Sequence, residues 1–209
     1  MIGVLDFGFG NVGSVVNMLT TIGVEAVTVK APEELESCAG IILPGVGAFD
    51  KCVAAAKADR VMFDRLEHQV LVEKIPFLGI CVGMQMLFGS SEEGSLNGFG
   101  WIPGSVNKFR FEDAAIKVPH MGWSPVRLQN RDSNLLGDSN DPRFYFVHSY
   151  FAKCDRESDV LATATFGGRQ FCAAVKHKNI YGVQFHPEKS HKFGFALLKN
   201  FTGLLNVKT

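Results

Sequence analysis

Residues 77–85 read FLGICVGMQ. Three apolar residues run into Gly79-Ile80-Cys81-Val82-Gly83, and the pattern then turns helical. A cysteine placed between two glycines at a strand-to-helix turn is held clear of the sheet on a tight elbow. The small neighbours let the backbone turn, and the N–H groups and positive end of the following helix favour thiolate over thiol. Taken alone, the short pattern fits a buried core cysteine with packing glycines equally well.

The surrounding chain repeats the strand–helix alternation. MIGVLDFGFGN is an apolar strand ending in glycines, and VGSVVNMLTTIG has helical spacing at Val12, Val15, Val16 and Leu19 with Gly23 as its stop. VEAVTV, GIILPGVGAFD and IPFLGI add three strands. Residues 50–73 read as one helix with Val53, Ala56, Val61, Met62, Leu66 and Val70 inward, and VGMQMLFGSS starts another. Continuous apolar strands separated by helices predict a parallel sheet covered on both faces. Residues 99–175 break into short strand-like pieces, among them FYFVHSYF, VLATATF and FCAAVKH, and predict an antiparallel annex. RLQNRDSNLLGDSNDPR reads as a surface loop. IYGVQF returns as a strand that breaks at Pro187, and GFALLKNFTGLLN closes the chain as a helix with Leu197, Leu198, Phe201, Leu204 and Leu205 on one face. The expected fold class is α/β: one open, mostly parallel sheet flanked by helices, in a single domain over residues 1–209.

Composition narrows the function classes. The 209 residues carry 21 Lys+Arg and 21 Asp+Glu, so no net charge marks a nucleic-acid or anionic-membrane partner. No apolar run is long enough to span a bilayer, and Met1 leads directly into strand-type sequence, which predicts a cytoplasmic protein without a signal peptide. The five cysteines, Cys38, Cys52, Cys81, Cys154 and Cys172, fit neither a zinc spacing nor a disulfide framework. No metal or cofactor is expected.

A thiol nucleophile needs a base. Of six histidines, His68 lies in a charged helical segment and His177 in VKHKN, read as a turn. His186 follows a strand directly, and Glu188 stands two residues on, across Pro187. In an extended segment i and i+2 face one side, so a carboxylate can orient the imidazole. The alternative is a Pro-terminated strand with two solvated polar residues. LPGVGAF, around Gly45-Val46-Gly47, is a glycine-bearing turn after a strand and could present N–H groups to an oxyanion, or could be an ordinary βα turn.

PGVGAF, GICVGMQ and QFHPEKS, in this order and at this separation, resemble the class I (triad) glutamine amidotransferases over nearly the whole chain. That family has a flavodoxin-like sheet. DFGFGN, PHMGW and FVHSYF narrow the resemblance to its branch serving imidazole glycerol phosphate synthase. The resemblance implies that Cys81 attacks the side-chain amide of L-glutamine, that His186 moves the proton and that Glu188 orients His186. It implies an oxyanion hole from Val82 N–H and the Gly45-Val46-Gly47 turn. It places the substrate against Gln85, Glu93, His148, Ser149 and Tyr150. It further implies that ammonia passes to a (β/α)8 cyclase subunit, HisF, in a heterodimer, with Asn11, Met121, Trp123 and Lys189 at the interface. The alternative reading of MGW is plain core packing.

Three departures stand out. Phe7 replaces a usual Tyr, Ser124 follows MGW where Asn is common, and HKFG follows HPEKS where small residues are usual. The last resembles a paralogous branch that supplies ammonia to a sugar amidotransferase in surface-polysaccharide synthesis. Two other classes compete: a triad hydrolase acting without a partner, and a non-catalytic interaction protein that keeps the fold.

Overall fold

The computed structural model describes residues 1–129, 135–137 and 141–206. Five parallel strands form one half of the main sheet. β1 (Ile2–Leu5) leads through helix α1 (Val12–Thr21) to β2 (Ala26–Val29), and β3 (Gly40–Gly45) follows. Helices α2 (Phe49–Ala58) and α3 (Arg60–Glu67) lead to β4 (Phe77–Cys81) and the single turn α4 (Val82–Gln85). The annex comprises β5 (Gly104–Lys108), β6 (His120–Pro125), β7 (Arg127–Leu128), β8 (Arg143–His148), β9 (Tyr150–Cys154), β10 (Val160–Phe166) and β11 (Arg169–His177). β12 (Ile180–Val183) then returns to the parallel half, and α5 (His191–Gly203) ends the fold.

The sheet order is β2-β1-β3-β4-β12-β11-β10-β7, parallel from β2 to β12 and antiparallel beyond, with β9 also on β11 and β5 on β9. Every residue of β1, β3, β4 and β12 is buried, as two covered faces require. β6 and β8 form a separate two-stranded ribbon in which His120 faces His148 and Trp123 faces Tyr145. Alternation there sends His120, Phe144, Phe146 and His148 inward and leaves Met121 and Trp123 outside. No helix among the described residues is long and apolar enough to cross a membrane.

Several expectations need correction. The helix over 50–73 is broken at Asp59, which adopts extended backbone and caps α3 by accepting the Met62 N–H at 3.0 Å. The break rotates α3, so Val61 is 68% exposed while Met62 and Leu66 stay buried; His68–Val72 continues as a π-helical turn. The helix after Cys81 stops at Gln85, because the chain must turn to reach the annex, so its dipole is short. FYFVHSYF is two strands in different sheets, hinged at Ser149. His177 ends β11 and pairs with Asp159 at 3.0 Å; the turn begins one residue later. The loop read over 127–143 lies partly outside the described residues; within it Arg127–Leu128 is a strand edge and Leu135 and Leu136 are buried.

Candidate active site

β4 ends on Cys81, whose φ of +55° and ψ of −111° put a non-glycine residue in a region that normally needs glycine. The elbow is held by close backbone packing against β3. A Cβ on Gly83 would collide with the Leu43 carbonyl oxygen, and one on Gly45 with the Gly83 amide nitrogen. One on Gly79 would lie 2.5 Å from the Gly83 carbonyl oxygen. The flanking glycines therefore do pack the elbow, and that packing is what allows Cys81 its turned backbone.

β12 ends beside β4 in parallel register, Val183 opposite Ile80, which carries the segment after β12 to the same sheet end as Cys81. His186 keeps extended backbone, but Glu188 lies in the 3-10 turn Pro187–Lys189, so the pair meets through a turn rather than along an extended strand. His186 Nδ1 lies 2.7 Å from Glu188 Oε1. Asn11 Nδ2 donates to the same oxygen at 2.9 Å. The His186 main chain is tied down: its N–H donates to Tyr145 O at 2.9 Å, and Ser190 Oγ donates to its carbonyl at 2.6 Å. Ser190 Oγ in turn accepts the Tyr145 N–H at 3.0 Å.

A cavity of about 300 Å³ opens in front of this group. Its lining includes Val46, Gly47, Cys81, Val82, Gln85 and Glu93, together with His148, Ser149, Tyr150, His186 and Lys189. Gly45 packs behind it, with Gly47 at φ +125°. The residues expected at the nucleophile, the base, the oxyanion turn and the substrate thus converge on one space. Asn11 does not line it but touches Glu188. Met121 and Trp123, 62% and 44% exposed, are outside it, so core packing does not account for MGW. Trp123 stacks on His191 at 5.7 Å between centroids and sits edge-on to Tyr145 at 6.3 Å, with Lys189 Nζ 5.8 Å from the Tyr145 ring.

The electrostatics follow from the partners. Burial disfavours the His186 cation, but hydrogen bonds and charge attraction from Cys81 and Glu188 outweigh it and raise the imidazole from 6.5 to about 10. Burial of Glu188 is likewise overcome by His186 and the Asn11 hydrogen bond, leaving its carboxyl below the usual range. Burial raises the Glu93 carboxyl, and burial lowers His120 to about 4 and His148 to about 3. The arrangement can hold an imidazolium next to a sulfur, as nucleophilic acyl transfer requires.

Two contacts at this site were not read from the sequence. Gln184, fully buried, directs Nε2 at Cys81 Sγ from 3.7 Å. His120, Ser124 and His148 form a hydrogen-bonded chain in which both histidines are buried and Ser124 is half-buried. Gln184 stands inside QFHPEKS, but its inward direction depends on the bend after β12. Among the described residues no cluster of His, Cys, Asp or Glu could hold a metal.

The family profile of the class-I glutamine amidotransferases matches residues 3–203. The chain is 46% identical over 206 residues to the imidazole glycerol phosphate synthase subunit HisH of Leptospira interrogans, covering 98% of this chain and 100% of that one. It is 44% identical over 205 residues to the subunit HisH 2 of Pseudomonas aeruginosa, at 98% and 100% coverage. Among solved structures it superposes on a glutamine amidotransferase with a TM-score of 0.74 at 20% identity, covering 99% of each chain.

Proposed function

The chain belongs to the class-I glutamine amidotransferases, and from that premise we propose that it is the glutaminase subunit of imidazole glycerol phosphate synthase. It hydrolyses L-glutamine to glutamate and ammonia, and hands the ammonia to the cyclase subunit HisF, which makes imidazole glycerol phosphate and AICAR in histidine biosynthesis. The observation that carries this reading is the line Cys81–His186–Glu188 at the end of the parallel strands, in a chain alignable over 98% of its length with HisH subunits.

In this reading Cys81 is the nucleophile and attacks the amide carbon of glutamine. The oxyanion is met by the Val82 N–H and one from the Gly45-Val46-Gly47 turn. His186, held cationic by Cys81 and Glu188, gives its proton to the departing ammonia, leaving a glutamyl thioester. Neutral His186 then takes a proton from water, which attacks the thioester and frees glutamate and the thiolate. Gln85, Glu93 and the segment His148-Ser149-Tyr150 hold the substrate. Ammonia needs a path shielded from water, since ammonium is not a nucleophile. Met121 and Trp123, with Lys189 and Asn11 nearby, form the face offered to the partner.

The test is glutamate release by the purified chain, alone and with the cyclase subunit of the same organism plus its nucleotide ligand. A large rise on adding both is the expected result, and Trp123→Ala should weaken that complex about tenfold or more without unfolding the chain. One observation favours a second partner: His191, where the histidine-pathway branch more often carries a small residue, stacks on Trp123 and is part of this face. No rise with the cyclase, while Cys81 still reacts with a glutamine-like chloroketone, moves the partner to a sugar amidotransferase.

A further inference from the structure

The main-chain oxygen of Tyr150 accepts two hydrogen bonds, from His148 Nδ1 at 2.7 Å and from Gln85 Nε2 at 3.1 Å. A carbonyl oxygen only accepts, so this one atom sets the polarity of two chains that start from it. Outward, His148 carries its proton on Nδ1, which leaves Nε2 a lone pair. His120 Nδ1, 3.1 Å away, must then donate. His120 Nε2 is left as the acceptor, and the Ser124 hydroxyl 2.8 Å from it donates. Inward, Gln85 Nε2 gives its second hydrogen to Gln184 Oε1 at 3.0 Å, which turns Gln184 Nε2 toward Cys81 Sγ at 3.7 Å. With both amide hydrogens committed, Gln85 offers the cavity only its oxygen.

His120 is clamped between two rings, Phe146 at 4.8 Å and Phe166 at 4.6 Å, both nearly parallel to it. Among the described residues neither His120 nor His148 has a carboxylate partner, and burial lowers both below the usual imidazole range. The chain begins at Ser124, the residue after Trp123 on β6, and ends at the sulfur.

We propose that His120 is a positioning residue for the glutamine site: clamped between Phe146 and Phe166, it donates to His148 Nε2 and holds that ring in place, so that His148 Nδ1–H anchors the Tyr150 carbonyl, which in turn orients Gln85 with its oxygen toward the ligand and, through Gln85, Gln184 with an N–H toward Cys81. The ligand group selected by Gln85 is accordingly an N–H donor, such as an amide or an ammonium. The kinetic part of this inference rests on the glutaminase reading; the tautomers do not.

The first test is NMR of the full chain labelled with 15N-histidine. His120 and His148 should both be neutral and protonated on Nδ1 at pH 7. An Nε2–H tautomer or an imidazolium at either ring overturns the proposal. The second test compares two substitutions in the complex with the cyclase. His120→Asn keeps a donor near the Nδ1 position; His120→Leu keeps volume and loses the donor. His120→Leu should lower kcat/KM for glutamine about tenfold, mostly through KM, with ammonia-dependent synthesis unchanged, and His120→Asn should stay within about threefold of the parent. Equal losses in both variants, or none in either, overturn it. Should His120→Leu fail to fold, the tautomers and the His120→Asn kinetics still decide. If the unaltered complex releases no glutamate at all, the glutaminase reading falls, while the tautomers and the rate of Cys81 alkylation by a glutamine-like chloroketone still report on the relay.

Discussion

His186 and His148 line the same cavity and His120 bonds to His148, yet the imidazoles move in opposite directions, to about 10 for His186 and to about 4 and 3 for His120 and His148. Burial acts on all three in the same sense, against the cation. The difference lies in what each ring touches. His186 meets Cys81 and the Glu188 carboxylate, whereas His120 meets a hydroxyl and another imidazole, and His148 meets a carbonyl. In the proposed mechanism one region stores a proton for transfer, while the other uses fixed, neutral rings to orient its neighbours. Proximity to a site is thus no guide to a histidine's charge.

The comparison can be broken most severely at the sulfur. Cys81→Ala should abolish glutamine hydrolysis, a loss of about 10³-fold or more, and leave ammonia-dependent synthesis by the complex intact. It should also lower the His186 titration seen by NMR while leaving the His120 and His148 tautomers unchanged. Loss of both activities would make Cys81 a structural residue. Glu188→Gln keeps the shape of the pair and removes its charge; hydrolysis should fall about 10²-fold, less than for Cys81→Ala, and the His186 titration should again drop.

Asn11→Ala removes one donor from Glu188 Oε1, and its effect on hydrolysis should be a smaller one, about tenfold or less. An unchanged rate with impaired binding of the cyclase would place Asn11 in partner contact alone.

The smallest effect should be seen in stability against pH, where the two regions leave opposite signatures. The folded-state pKa of His186 is raised from 6.5 to about 10, so its contribution is complete below 6.5 and is lost as pH rises toward 10. Those of His120 and His148 are lowered, so their contribution is complete above 6.5 and is lost as pH falls toward about 4 and 3. Denaturant unfolding across pH should therefore show a flatter acid limb in His120→Leu and a flatter alkaline limb in Glu188→Gln. A shared change in both limbs would mean that the two regions titrate as one.

Legibility in the sequence followed the locality of the cause. The strand–Cys–helix elbow was readable because glycines at 79 and 83 are needed where the backbones of β3, β4 and α4 touch, and that need is expressed within five residues. His186 and Glu188 were paired correctly for an incomplete reason, since the 3-10 turn at Pro187 brings them together and the extended-strand argument does not describe it. The single helix over 50–73 failed at Asp59, whose capping role competes with an otherwise continuous apolar pattern. The exposure of Met121 and Trp123 depends on pairing β6 with β8 in a ribbon separate from the main sheet, which their own segment does not specify.

Residue types a few positions apart were enough for the α/β class, the elbow around Cys81 and the nearness of His186 to Glu188, though not for the turn that joins that pair. It took the tertiary structure to bring Asn11 to Glu188 across 177 positions and Gln184 to Cys81 across 103. It alone linked Ser124, His120 and His148 to Gln85 through the Tyr150 carbonyl. Hydrogen bonds between distant segments depend on strand order and register, and those emerge only when the separate strands and helices bury their apolar faces together.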